Sequence, residues 1–229
     1  MSSSRLASSL YLLTFALLLQ NVLGTDPLFS RCSSNANSTV NSSYKTSLNV
    51  LMASLYQLAP VEGFALGSLG QSNQDRPYGL VLCRGDVSSS DCRACAANAT
   101  REIRKRCPNS KGAIIALMTK NKFYMWNVNN VSNPVLFNEK TTELLSQLAD
   151  KASYNSSKLY AAGEMDLPEG SMKLYGMAQC TRDLSSVDCK KCLDGAIGEL
   201  PRVAYGKEEA RVVGGSCMVI YEIYPFFKA

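Results

Sequence analysis

Pro77–Ala99 (PYGLVLCRGDVSSSDCRACAANA) aligns without a gap on Leu174–Ala196 (LYGMAQCTRDLSSVDCKKCLDGA), with ten identities in 23 positions. Both stretches carry the spacing C-x8-C-x2-C: Cys83, Cys92 and Cys95 in the first, Cys180, Cys189 and Cys192 in the second. An internal match of this length means that the chain holds two copies of one small cysteine-rich unit. In each triplet the last two cysteines stand i,i+3, so on a helix they share a face and can reach neighbouring strands.

Working outward, the first copy predicts a helix over 43–58 (SYKTSLNVLMASLYQL), with Tyr44, Leu48, Leu51, Leu55 and Leu58 on one face. Pro60 and Gly63 are read as its end. A strand follows around 78–83, and Ser88-Ser89-Ser90-Asp91 supplies capping groups for a second helix over 91–106. The stretches 112–118 and 122–128 read as paired strands that close this unit. The second copy repeats the order: a helix over 142–151 with Leu145, Leu148, Ala149 and Ala152 inward, strands at 159–162 and 173–180, a helix over 186–200, and strands at 210–213 and 217–224. The fold class is α+β, two tandem domains, each an antiparallel sheet packed by two helices and stapled by disulfides. The expected division is 1–24 signal peptide, 25–128 first domain, 129–138 a polar linker containing Pro134, and 139–229 second domain.

Arg5 followed by the apolar run Leu6–Leu19 (LASSLYLLTFALLL) and a cut after Gly24 describe a secretory signal. No later segment is apolar enough to span a bilayer, so no transmembrane segment is expected in the mature chain, and the protein is expected in the extracellular space. Five N-x-S/T sequons, at Asn37, Asn41, Asn98, Asn130 and Asn155, agree with export and predict a glycoprotein. Export in turn makes disulfides the first reading of the nine cysteines. There is no histidine, which removes Ser-His-Asp and Cys-His catalysis and every zinc site that needs imidazole. The net charge of +5 is mild and gives no nucleic-acid footprint.

The double triplet, the segments RCPNSKGAII (106–115) and SCMVIYEIYPFF (216–227), and the tandem arrangement resemble the plant cysteine-rich repeat secretory proteins. Their unit is also called the ginkbilobin-homologous or stress-antifungal domain, and it also forms ectodomains of cysteine-rich receptor-like kinases and plasmodesmata-located proteins. Ending after YEIYPFF, the chain is expected among the secreted, soluble members, in the apoplast. The resemblance implies the pairs Cys32–Cys107, Cys83–Cys92, Cys180–Cys189 and Cys192–Cys217. Repeat 1 lacks the last-strand cysteine, Asn121 or Lys122 standing in its place, which leaves Cys95 over. Cys95 is a buried inert thiol, one half of an intermolecular disulfide, or a redox site.

The resemblance also implies a mannose-type carbohydrate site, formed in the founding antifungal member by an Asn, an Arg and a Glu. Repeat 2 keeps Arg211 and Glu222 as counterparts, without the Asn; repeat 1 keeps none, having Ser33, an aliphatic stretch at 113–117, and no carboxylate over 123–127. A carboxylate and a guanidinium suit sugar hydroxyls, but the same two residues also suit a cross-strand ion pair. The basic cluster Arg101, Arg104, Lys105 and Arg106 reads as the charged end of a solvated helix, or as a contact for acidic polymers. Carboxylates such as Asp183, Asp188, Glu199 and Glu222 are candidates for a glycosidase pair, and Asp86 and Asp91 at the matching places of repeat 1 favour turn and capping roles for the first two. Trp126, the one tryptophan, reads as core or interface before sugar platform. The expectation is a non-catalytic plant defence protein with no cofactor or metal. It binds a mannan-like or cell-wall glycan, or alternatively it is an apoplastic protein-interaction module that associates with receptor ectodomains.

Overall fold

The computed structural model describes residues 29–32, 42–71, 76–108, 110, 112–116, 123–168 and 172–227. The expected signal peptide, Asn37 and Asn41 lie outside these residues. The first repeat runs β1 (Phe29–Cys32), α1 (Ser42–Glu62), β2 (Phe64–Ser68), β3 (Tyr78–Leu82), α2 (Ser89–Arg106), β4 (Ala113–Ala116) and β5 (Phe123–Trp126). The second runs α3 (Pro134–Tyr154), β6 (Tyr160–Asp166), β7 (Lys173–Cys180), α4 (Ser186–Ile197), the short α5 (Leu200–Val203), β8 (Ala210–Val213) and β9 (Cys217–Glu222). The architecture is α+β with antiparallel sheets throughout.

The second repeat is built on a five-stranded sheet in the order β5-β8-β9-β7-β6. Alternate residues of its strands, among them Leu174, Ala178, Val212, Val219 and Tyr221, face α3 and α4 and form one buried cluster with Leu144, Leu145, Leu148, Ala149, Ala152 and Leu193. The inward stripe expected on the first helix of this repeat is therefore present. Cys180 and Cys217 are partners in register at the ends of β7 and β9. From α4, Cys189 bridges to the first and Cys192 to the second. One helical turn thus ties both central strands to the helix layer.

The identities between the repeats have separate physical reasons. Ser88 and Ser185 hold the same extended conformation ahead of α2 and α4, and each side chain accepts from the backbone N–H of the aspartate three residues on. Gly79 and Gly176 mark where the first helix of each unit lies closest to its sheet. A Cβ on Gly79 would stand 2.5 Å from Leu55 Cδ1, and one on Gly176 2.8 Å from Leu148 Cδ1. The Tyr-Gly of both copies is thus a seat for two leucines.

The first repeat is smaller in sheet. β2 and β3 form a hairpin that packs Ala65 and Val81 against Leu51, Leu55 and Ala59 of α1, while β1 pairs with β4 in a separate two-stranded sheet. Cys83–Cys92 joins the end of β3 to α2, and Cys32–Cys107 joins β1 to the end of α2.

Four expectations are corrected. Among the described residues, 122–128 is not paired with 112–118: β5 pairs antiparallel with β8, Trp126 opposite Ala210, and so becomes the edge of the second repeat's sheet. The linker 129–138 is half helix, because Asn133 caps α3 by accepting from Leu136 N–H and Pro134 takes the first turn, where its missing donor is not needed. Pro60 lies inside α1, which runs on to Glu62 before the N–H of Gly63 donates to the Ala59 carbonyl. The buried residues of that helix run on to Ala59 and Pro60, and Leu58 faces solvent.

The repeats meet directly. The sheet face away from α3 and α4 is apolar as well, with Met177, Val213, Met218 and Ile220 buried and Tyr160, Ala162 and Phe226 against them. At the end of this face, Gln179 Nε2 donates to the Cys83 carbonyl at 3.0 Å. Gly85 lies against the ring of Tyr160, where a Cβ would fall 2.7 Å from Tyr160 Cβ and Cδ1.

Candidate binding sites

Arg211 lies on β8 opposite Ile220, and Glu222 ends β9 one step beyond the Ala210–Tyr221 pair. The guanidinium reaches two carboxylates: Nη2 lies 2.8 Å from Glu209 Oε1 and 3.0 Å from Glu222 Oε1, and Nε donates to Glu209 at 3.1 Å. No part of the Glu222 side chain is open to solvent, whereas that of Arg211 is partly exposed. Burial pushes the Glu222 carboxyl up to about 7, the neighbouring Glu209 adds to this, and Arg211 opposes it. Its second oxygen, Oε2, accepts no hydrogen bond among the described residues. The two residues singled out for sugar are therefore brought together as a cross-strand ion pair whose carboxylate is enclosed. A sugar hydroxyl there would have to compete with Glu209 and Glu222 for one guanidinium.

Cys95 is half-buried on α2, the helical position that Cys192 holds on α4, and burial raises its thiol above the usual range. Asn98 is part-exposed on α2, its Oδ1 accepting from Arg101; Asn130 is exposed in a bridge to Lys207; and Asn155 is exposed at the C-cap of α3. Arg101, Arg104, Lys105 and Arg106 are exposed in the last turns of α2, with Arg106 paired to Glu102 at 3.0 Å. Among the proposed acids, Asp188 accepts from the capping Ser185 hydroxyl at 2.6 Å, and Glu199 accepts from the Tyr124 hydroxyl. Trp126 is half-exposed on the edge strand β5.

Two further features escaped the reading of residues. The face of the β2–β3 hairpin turned away from α1 carries Leu66 and Leu80, directly paired, beside Tyr78; these are 56%, 41% and 71% exposed. Alternation in Phe64–Ser68 and Tyr78–Leu82 was the available signal. The second is a cleft of about 210 Å³ where the repeats meet, lined by Glu62, Arg84, Ser88, Ser89, Lys158 and Arg182 among others.

The folding pattern defines a protein with two cysteine-rich units, each with paired helices over an antiparallel sheet. The salt stress response/antifungal family model matches twice, over residues 31–125 and 124–224, and the chain belongs to that family. An antimicrobial ginkbilobin-2-like protein of Castanea crenata is 49% identical, with all of each chain covered. Cysteine-rich repeat secretory protein 38 of Arabidopsis thaliana is 47% identical over 88% of this chain and 86% of that one. In fold, the tandem DUF26 ectodomain of the Arabidopsis thaliana cysteine-rich receptor-like protein PDLP8 superposes with a TM-score of 0.74, covering 87% of this chain and 98% of that chain at 23% identity. The protein is secreted and extracellular, as are the relatives named for secretion, and no helix of the described residues is long and apolar enough to cross a membrane.

Proposed function

We propose that this chain is a non-catalytic defence protein that works as an interaction module outside the cell, docking the ectodomain of a cell-surface protein on the open face of the β2–β3 hairpin. One observation carries the reading: Leu66, Tyr78 and Leu80 form an exposed apolar face on a hairpin whose second strand leads into the Cys83–Cys92 disulfide. Exposed apolar side chains clustered in this way mark interaction surfaces, and two of the three here are aliphatic, without the flat face on which a sugar ring stacks. The name of the Castanea crenata relative supports the defence setting. Glycan binding through Arg211 and Glu222 is the weaker reading, because the enclosed ion pair leaves few free groups for sugar hydroxyls.

The test is a binding panel of purified plant receptor ectodomains and soluble mannan, run with the secreted, oxidised protein beside Leu80→Asp and Arg211→Ala. Capture by an ectodomain that weakens at least tenfold in Leu80→Asp, without mannan binding, is the expected result. Saturable mannan binding lost in Arg211→Ala, with no ectodomain captured, overturns it.

A further inference from the structure

We propose that the cleft between the repeats is a binding site for an oxyanion, a carboxylate, sulfate or phosphate group, held chiefly by Arg182. This goes beyond the docking reading and is independent of it. The cleft, about 210 Å³, has room for one anionic group and the few atoms that carry it.

Its donors come from both repeats. Arg182 follows β7 and makes no ion pair or hydrogen bond among the described residues; its Nε is shut away from solvent without an acceptor. A guanidinium N–H in that state is uncommon in a folded chain, and a planar fork of donors is the group best shaped for an oxyanion. Among the described residues Lys158 reaches the Gly85 carbonyl alone, at 3.4 Å, which is a weak contact for an ammonium. From the first repeat, α2 begins at the cleft with Ser89. The Ser88 hydroxyl accepts from Asp91 N–H, so the N–H groups of Ser89 and Ser90, at the start of the helix, find no acceptor within it. The helix end adds a partial positive charge.

The other charges do not cancel this set. Arg84 is held by Asp86 through two hydrogen bonds, at 2.5 and 2.8 Å, and its charge is answered there. Glu62 is the one carboxylate among the lining residues, against Lys158 and Arg182. The repeats also differ at the deciding position: Gly85 is the counterpart of Arg182, and the contact with Tyr160 leaves no room there for a side chain. A single site per chain follows, formed only where the two repeats meet.

The experiment is titration calorimetry of the intact, oxidised protein with sodium sulfate, sodium phosphate and trigalacturonate, each at constant ionic strength made up with chloride. Arg182→Gln, Lys158→Gln and Arg101→Gln are run beside it, with folding checked by circular dichroism. The expected result is saturable binding of at least one probe at one site per chain, at least tenfold weaker in Arg182→Gln, weaker in Lys158→Gln, and unchanged in Arg101→Gln. Sulfate or phosphate binding as tight as trigalacturonate identifies a free oxyanion as ligand; tighter trigalacturonate identifies an acidic glycan. Should Arg182→Gln not fold, Lys158→Gln decides alone. No saturable binding of any probe, full binding in the cleft variants, or equal weakening in Arg101→Gln overturns the proposal.

Discussion

Gln179 in β7 donates its side-chain amide to the backbone carbonyl of Cys83 in the other repeat, 3.0 Å away, and both residues are buried. The bond ties the ends of two equivalent segments, because Cys83 directly follows β3 and Gln179 precedes the cysteine that ends β7. Gln179→Ala should destabilise the protein by about 1–3 kcal/mol, the range for leaving a buried carbonyl without its donor. Gly85→Val should cost about as much again through overpacking against Tyr160. Urea unfolding followed separately in each repeat checks both: the variants should also pull the two transitions apart. Coincident, unshifted curves would mean that the contact between repeats is weak.

The Glu222 carboxyl gives a pH dependence of definite sign. Its ordinary value of 4.5 is raised to about 7 by burial, so between those values the unfolded chain has lost a proton that the folded chain keeps. The contribution to stability is fully present below about pH 4.5 and is lost as pH rises through about 7. Glu222→Gln keeps the shape without the titration, and its stability should vary less over that window. Equal slopes for the two proteins in urea melts from pH 4.5 to 7.5 would place the titration elsewhere.

The four bridges should differ in worth. Cys32–Cys107 spans 75 residues and Cys83–Cys92 only 9. The chain-entropy account assigns about 4.5 kcal/mol to the long loop and about 2.6 to the short one. Paired Cys→Ala substitutions, compared by urea midpoint, should follow that order. A reversed order would show that constraint of the unfolded chain is not what these bridges supply.

Cys95 should resist modification. Burial raises its thiol, so little thiolate is available at neutral pH. Iodoacetamide should label the native protein slowly and the urea-unfolded, unreduced protein at one site. Fast native labelling would contradict the buried setting, and absence of any site in urea would reveal a bond to another molecule.

Local chemistry made most of the order of elements legible. Ser88 and Ser185 announce their helices because a cap acts on the next turn, and Cys92 with Cys95 announces a shared helix face because i,i+3 spacing is local geometry. Partners distant in sequence were not legible in the same way. The residues of β5 say that it is a strand but not that Ala210 rather than 112–118 will receive it. Ala59, not Leu58, continues the i,i+4 stripe of Leu51 and Leu55 and lies in one cluster with Cys92 of α2, a small residue that a search for large apolar side chains overlooks. At the candidate site, the types and spacing of Arg211 and Glu222 were visible. Their enclosure was not, since it depends on which face of the sheet becomes apolar on both sides.

The placement of β5 has a consequence in time. Trp126 and its register partner Ala210 stand 84 residues apart. At about 5–20 residues per second of synthesis, β5 waits roughly 4–17 s for the strand that receives it. During that interval β8, the strand that pairs with β5 among the described residues, has not yet been made. Closure of this sheet edge is therefore an event of late synthesis, and it joins a strand of the earlier repeat to one of the later repeat.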